Sequence, residues 1–332
     1  MTPTPASITT LCPPHVTDLD VRGPLDLAAV PACVREFIPT SRPEARAARA
    51  ILPMAFTVEG EWQTAGVLVR PVAKRTIRIE TEAPPTVVAA ATAQARRILS
   101  LDTDARGFAA IGRRDPVVGQ LQSWFRGVRP VLFHSPYEAA CWAIIGNRIG
   151  SRQATSIMRH IAGEHGRRVV VGDTVLSSFP APAELHALSG SLRLPERKVS
   201  RLRAVAEIAH DGELTASMLL AMEAEDALRS LRRLPGIGPF SAELILTRGA
   251  GHPDVFPRGE HGVLEEMALA YGADPDDVSS LERIAESWQP FRSWAALLFR
   301  LSREQRAPGE RAGPRPVKAV DRGSRGPQEA LW

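Results

Sequence analysis

The heptapeptide Leu234-Pro235-Gly236-Ile237-Gly238-Pro239-Phe240 constrains the fold more than any other stretch of the chain. Two glycines around one apolar residue let a backbone turn tightly and bring bare N–H groups against an anion, since no side chain stands in the way. Residues 222–233 before it read as an amphipathic helix, and Phe240-Ser241-Ala242-Glu243-Leu244 opens another after it. A glycine helix cap followed by a fresh helix would account for Leu234 to Gly238 equally well. The context adds weight: a loop Asp254-Val255-Phe256-Pro257 follows, and then the acid Glu260, about twenty residues beyond Phe240.

Composition sets the broad class. A chain of 332 residues with 44% hydrophobic and 23% charged residues is long enough for one large or two smaller globular cores. Lys plus Arg number 41 against 37 Asp plus Glu, and most of the bases are Arg, the side chain better matched to phosphate. Cys12, Cys33 and Cys141 lie far apart and form no CxxC pair, which argues against zinc, an iron–sulfur cluster and a disulfide framework. HExxH is missing too, so no catalytic metal is expected. There is no run of 18 apolar residues and no basic-then-apolar amino terminus, so neither membrane nor secretion is indicated.

Patterning predicts an α+β unit over 16–112 and a helical part over 113–302. A Thr- and Pro-rich tail precedes them at 1–15. A basic tail follows at 303–332, with too few large apolar residues to offset its ordering entropy. Val67-Leu68-Val69 and Thr76-Ile77-Arg78-Ile79-Glu80 alternate with period two, the mark of half-buried strands joined by a turn at 71–74. After Pro84-Pro85, the residues Val88, Ala91, Ala95, Ile98 and Leu99 share one helical face. Tyr137 to Ile149 reads as a helix buried nearly all round. Val199, Leu202, Val205 and Ala209 mark an amphipathic helix with Arg197, Lys198, Arg201 and Arg203 on its other faces. Trp294, Leu297, Leu298 and Leu301 form a further apolar face, and the apolar patches at 169–171 and 175–176 read as a turn-rich insertion.

An ordered series of motifs then stands out. It comprises Ser135-Pro136-Tyr137-Glu138-Ala139 with Ile144-Ile145-Gly146, Arg197-Lys198, the glycine hairpin, the loop to Glu260, and Trp288-Gln289-Pro290-Phe291-Arg292-Ser293. With Gly23-Pro24-Leu25-Asp26-Leu27 in the amino-terminal unit, the chain resembles the helix-hairpin-helix DNA glycosylases of the bacterial 3-methyladenine DNA glycosylase II type over roughly 16–302. The resemblance implies a small amino-terminal antiparallel-sheet α/β unit followed by an all-α helix-hairpin-helix core. It implies double-stranded DNA as partner and a monomer at work on the nucleoid in the bacterial cytoplasm. The activity implied is excision of alkylated purines by base flipping and N-glycosidic hydrolysis, in base excision repair.

The resemblance also assigns roles. The N–H groups of Gly236, Ile237 and Gly238 would hold a DNA phosphate. The carbonyls of Arg232, Leu234 and Ile237 would face a sodium or potassium ion, the one cofactor implied. Phe240 and Phe291 would receive the base, and Asn147 and Arg148 would fill the gap it leaves. Lyase-competent relatives carry Lys where Phe240 stands, so strand cleavage through a Schiff base is not expected. Glu260 stands where the family usually has Asp, while Asp254 shapes the loop. An ionised acid beside C1′ stabilises the oxocarbenium-like sugar of N-glycosidic hydrolysis. One extra methylene moves that charge by about an ångström, a shift that can cost on the order of a hundredfold in rate. The alternative is therefore a lesion-binding protein on the same scaffold, with Glu260 a surface acid.

Overall fold

Ile77, Ile79 and Thr81 are buried on one side of a strand whose other residues are half-buried, and this alternation seeds the amino-terminal sheet. The computed structural model describes residues 8–9, 13–27, 51–188, 192 and 194–305. After the two-residue β1 (Ile8–Thr9) come β2 (His15–Asp20), β3 (Leu52–Thr57), β4 (Thr64–Pro71) and β5 (Thr76–Glu82). The last four form an antiparallel sheet in the order β2-β5-β4-β3, with Thr17 opposite Ile79 and Met54 opposite Val67. Helix α1 (Val88–Ile98) buries Ala91, Ala95 and Ile98, and its Thr92 hydroxyl meets that of Thr81 at 2.9 Å.

Helices follow, as the patterning predicted: α2 (Arg106–Arg114), α3 (Pro116–Trp124), α4 (Pro136–Gly146) and α5 (Ser151–His165). The expected turn-rich insertion is instead a hairpin of β6 (Arg168–Val171) and β7 (Thr174–Ser177), turned at Gly172 with φ 57°. Its Val169, Val171 and Leu176 pack on Ala55 of β3, a contact too distant in sequence for periodicity to show. β1 lies parallel to β6, Ile8 opposite Arg168, so the expected tail at 1–15 contains a strand; an open β-edge offers any nearby segment a row of unpaired N–H and C=O groups. The rest of 1–12, including Cys12, lies outside the described residues, as do 28–50 with Cys33, and 306–332. Cys141 is a buried free thiol.

The second half comprises α6 (Pro182–Ala187), α7 (Glu196–His210), α8 (Ala216–Ala221), α9 (Ala224–Leu231) and α10 (Pro239–Leu244). A π-helical turn, Ile245–Ala250, extends α10, and α11 (His261–Tyr271), α12 (Val278–Ala285) and α13 (Arg292–Gln305) complete it. α13 runs past the expected boundary at 302. Among the described residues no helix is long and apolar enough to cross a membrane.

Buried apolar side chains form two large clusters, and these cut the chain differently from the boundary expected near 112. One joins the four-stranded sheet and α1 to α3 with residues from Phe256 to Leu301; the other spans Phe133 to Val255. Each helix pattern shows which face is apolar but not which faces meet. The backbone passes between the clusters at 132–133 and at 255–256, and polar groups stitch the junction. Phe133 N–H donates to the Arg248 carbonyl at 2.7 Å, and the Arg97 guanidinium donates to the carbonyls of His134 and Gly249, each at 2.5 Å.

Asp115 ties the two ends of the first cluster together. Its carboxylate caps α3 through the N–H groups of Val117 and Val118, and also accepts from Tyr271 Oη at 2.7 Å and Trp288 Nε1 at 2.8 Å. Replacing it removes a cap and strands one buried and one half-buried donor, so Asp115→Ala is expected to lose about 2–4 kcal/mol of stability, read from the urea midpoint at unchanged slope.

Candidate active site

The glycine hairpin joins α9 to α10. Leu228 and Leu231 of α9 are buried, Gly236 turns the chain with φ 88°, and Pro239 occupies the first turn of α10, where its missing N–H costs nothing. Ile237 differs from expectation. Its N–H donates to the Leu234 carbonyl at 3.1 Å and closes the turn, and its side chain is buried, so it anchors the hairpin rather than offering an amide. The N–H groups of Gly236 and Gly238 make no hydrogen bond among the described residues.

Beyond the π-helical turn, Asp254 grips the start of α13. Its carboxylate accepts from Arg292 N at 3.1 Å and Arg292 Nε at 2.9 Å, while Ser293 Oγ exchanges hydrogen bonds with Val255. This is the loop-shaping role expected for it. The chain then reaches Gly259, whose N–H donates to the buried Glu243 carboxylate of α10 at 2.9 Å. A Cβ on Gly259 would lie 3.0 Å from Phe240 Cβ, so the loop is seated directly on α10.

Glu260 follows, at the amino-terminal edge of α11, and turns its side chain into a cleft shared with Thr247, Arg248, Pro257 and Arg300. Arg300 of α13 meets it side-on: Nε donates to Oε1 at 2.5 Å and Nη2 donates to Oε2. Both side chains are about one-fifth exposed. Nothing local in the sequence links positions forty residues apart, and no motif flagged Arg300. The cavities on either side of the pair measure about 30 and 20 Å³, room for water but not for a purine.

The two expected base-pocket rings part company. Phe240 is 44% exposed and lines the cleft with Glu260. Phe291 is 7% exposed and packs in a trio with Phe108 and Trp294, centroids 5.4 to 5.7 Å apart, because the turn before α13 directs it into the first core. Trp294, part of an apolar face in the sequence, is 3% exposed in that same core and backs the wall of the cleft. It also borders a second, apolar cavity of about 340 Å³ with Phe108 and Phe125.

Asn147 and Arg148 end α4 at an exposed turn and do not line the cleft. Arg148 has φ 61°, a left-handed conformation costing an ordinary residue roughly 1–2 kcal/mol. Lys198 of α7 holds the turn, its ammonium donating to the carbonyls of Ile145 at 2.6 Å and Asn147 at 2.9 Å.

No protein-family model matches the chain. In sequence it is 24% identical over 201 residues to DNA-3-methyladenine glycosylase of Bacillus subtilis, a match covering 59% of this chain and 66% of that protein. It is 27% identical over 184 residues to DNA-3-methyladenine glycosylase 2 of Escherichia coli, covering 54% and 62%. The chain thus spans slightly under two thirds of the length of these relatives. Among solved structures, 3-methyladenine DNA-glycosylase from Archaeoglobus fulgidus superposes with a TM-score of 0.72 at 21% identity, over 87% of this chain and 98% of that one. The 8-oxoguanine glycosylase/lyase of Clostridium acetobutylicum, bound to double-stranded DNA, gives 0.63 at 15% over the same shares.

Burial raises the Glu243 carboxyl above the ordinary value of 4.5, against the lowering effect of the Gly259 N–H and of Arg258 and Arg232. The folded chain therefore binds more protons there than the unfolded chain, and stability is lost as pH rises from about 4.5 through the folded value. Glu243→Gln retains an acceptor for Gly259 and lacks this loss. Urea midpoints compared between pH 4.5 and 7 should show the native chain falling relative to the variant, then levelling.

Proposed function

On the premise that this chain has the fold of the helix-hairpin-helix DNA glycosylases and resembles the DNA-3-methyladenine glycosylases in sequence, we propose that it is a monofunctional glycosylase acting on alkylated purines in duplex DNA. The observation that carries the proposal is the placement of Glu260 and the exposed ring of Phe240 on one cleft, with Phe240 on the helix that issues from the hairpin. The hairpin amides of Gly236 and Gly238 take a phosphate, Phe240 receives the base, and Arg148 enters the vacated stack. The work is that of a monomer on the bacterial nucleoid, in the cytoplasm.

Glu260 stabilises the oxocarbenium-like sugar as the purine departs and water attacks C1′. An alkylated purine already carries positive charge, so it leaves without a dedicated acid. Arg300 supports this chemistry in one way and opposes it in another. A carboxylate has about four acceptor sites and the guanidinium takes two, so a face of Glu260 stays open while its orientation is fixed. That restraint offsets the freedom of the extra methylene. The guanidinium also shares the negative charge, and the narrow cavities beside the pair require Arg300 to shift as a base enters. Phe240 stands where a lyase lysine would be, and no amine is assigned a nucleophilic role.

A monovalent cation suits the hairpin. Arg232 ends α9 with its N–H donating to the Leu228 carbonyl, which leaves its own carbonyl past the helix; among the described residues that of Leu234 accepts only the Ile237 N–H, and neutral oxygens match sodium or potassium better than a transition metal. Arg232, Leu234 and Ile237 would hold it, adding positive charge beside the phosphate.

Single-turnover release of base from alkylated duplex DNA tests the proposal. Glu260→Gln should lose at least about a hundredfold in rate with DNA affinity retained, and Arg300→Met about ten- to a hundredfold through loss of carboxylate orientation. Tight binding by the native chain without base release would leave a lesion-binding protein.

A further inference from the structure

Gly236 is backed by an arginine. A Cβ built on it would meet Arg201 Cδ at 2.6 Å, Nε at 2.9 Å and Cζ at 3.0 Å, so the guanidinium occupies the space a side chain would claim. Glycine is thus required at 236 twice, for its φ of 88° and for this approach. From standard bond lengths, Arg201 Nε lies no more than about 5.5 Å from the Gly236 N–H. Two donors that far apart can reach oxygens of one phosphate through hydrogen bonds of ordinary length.

Arg201 is half-buried, and among the described residues it has no ion-pair partner and no side-chain hydrogen bond. The other arginines packed near α10 and the loop are engaged: Arg258 with Glu282 and Glu225, Arg292 with Asp254, Arg300 with Glu260. On α7, Arg197 and Lys198 stand four and three residues before Arg201, on a helix that Glu196 opens, and Arg232 and Arg233 precede the hairpin in sequence. A guanidinium held against a turn with two open amides, and without a carboxylate partner among the described residues, is half of an anion site. Arg197 and Lys198 belong to the resembled motif, whereas Arg201 was read only as one cation of a solvated face.

We infer that Arg201 and the Gly236–Gly238 turn form a composite site for one DNA phosphodiester, in which the guanidinium supplies the charge and the glycine amides the direction. This rests on the glycosylase reading. The bound phosphate is the one that registers α10, and with it Phe240 and the Glu260 loop, on the backbone of the everted nucleotide. Lys198, one turn earlier on α7, braces the Arg148 turn, so a single rigid helix sets the spacing between the phosphate grip and the intercalating side chain.

The test is the salt dependence of binding by the full chain to a duplex containing a stable abasic analogue, measured by fluorescence anisotropy. For the native protein, Arg201→Gln and Arg201→Lys, the slope of log K against log salt is compared, with thermal melts confirming the fold. Arg201→Gln should bind about tenfold more weakly at low salt and lower the slope by about one, while Arg201→Lys should keep the slope and recover part of the affinity. An unchanged slope in Arg201→Gln, or a slope lowered equally in Arg201→Lys, overturns the phosphate role while native binding and base release stand. No salt-dependent duplex binding by the native chain overturns the glycosylase reading as well.

Discussion

The buried carboxylate of Glu243 takes the N–H of Gly259 at 2.9 Å, and through it the hairpin and the acid become one object. Glu243 stands one helical turn after Phe240 on the helix that leaves the hairpin; Gly259 immediately precedes Glu260. With Asp254 on Arg292, Arg258 on Glu282 and Glu225, and Glu260 on Arg300, that bond keeps the loop carrying the acid seated on α10. Such a bond inside protein is stronger than in water, and the cost of burying the carboxylate is offset in part by the N–H it receives and by the nearby Arg258 and Arg232. The spacing from the Gly236–Gly238 turn to the Glu260 carboxylate is thereby set by a few covalent steps and one hydrogen bond.

The two hydrophobic cores explain why the cleft lies where it does. The chain begins in the first core, crosses at 132–133, builds the second, and returns at 255–256, so both crossings border the cleft. Leu132 from one crossing and Val255 and Pro257 from the other line it, and the Arg97 bonds to Gly249 and His134 hold the crossings in register. α13 belongs to the first core and brings Trp294 and Arg300, whereas Phe240 and Glu243 come from the second half. Neither part alone holds both Arg300, the partner of Glu260, and the exposed ring of Phe240.

Local chemistry made much of this legible in advance. The period-two strands read at 67–69 and 76–80, the one-faced helix after Pro84-Pro85, the buried helix read at 137–149 and the glycine hairpin each depend on neighbours within a few residues, and each formed, the strands running longer, at 64–71 and 76–82, and the buried helix ending sooner, at Gly146. The spacing from Phe240 to Glu260 was equally readable, since a fixed number of residues between two loops limits how far apart they can lie. Phe291 shows the opposite case. It carries a motif position and an apolar side chain, properties that suit a pocket wall and a core equally, and only the packing of Phe108 and Trp294 around it settles the matter.

What the linear order of residues established was the set of local conformers and the chemistry available: the turn at Gly236, an acid at 260, an aromatic ring at 240, a helix rich in arginine. What folding added were encounters between segments far apart in the chain: Arg300 against Glu260, Arg201 behind Gly236, β6 on β3, and a first core closed by the last helix. These depend on which apolar faces find each other, a many-body outcome of burial and shape that no window of neighbouring residues encodes.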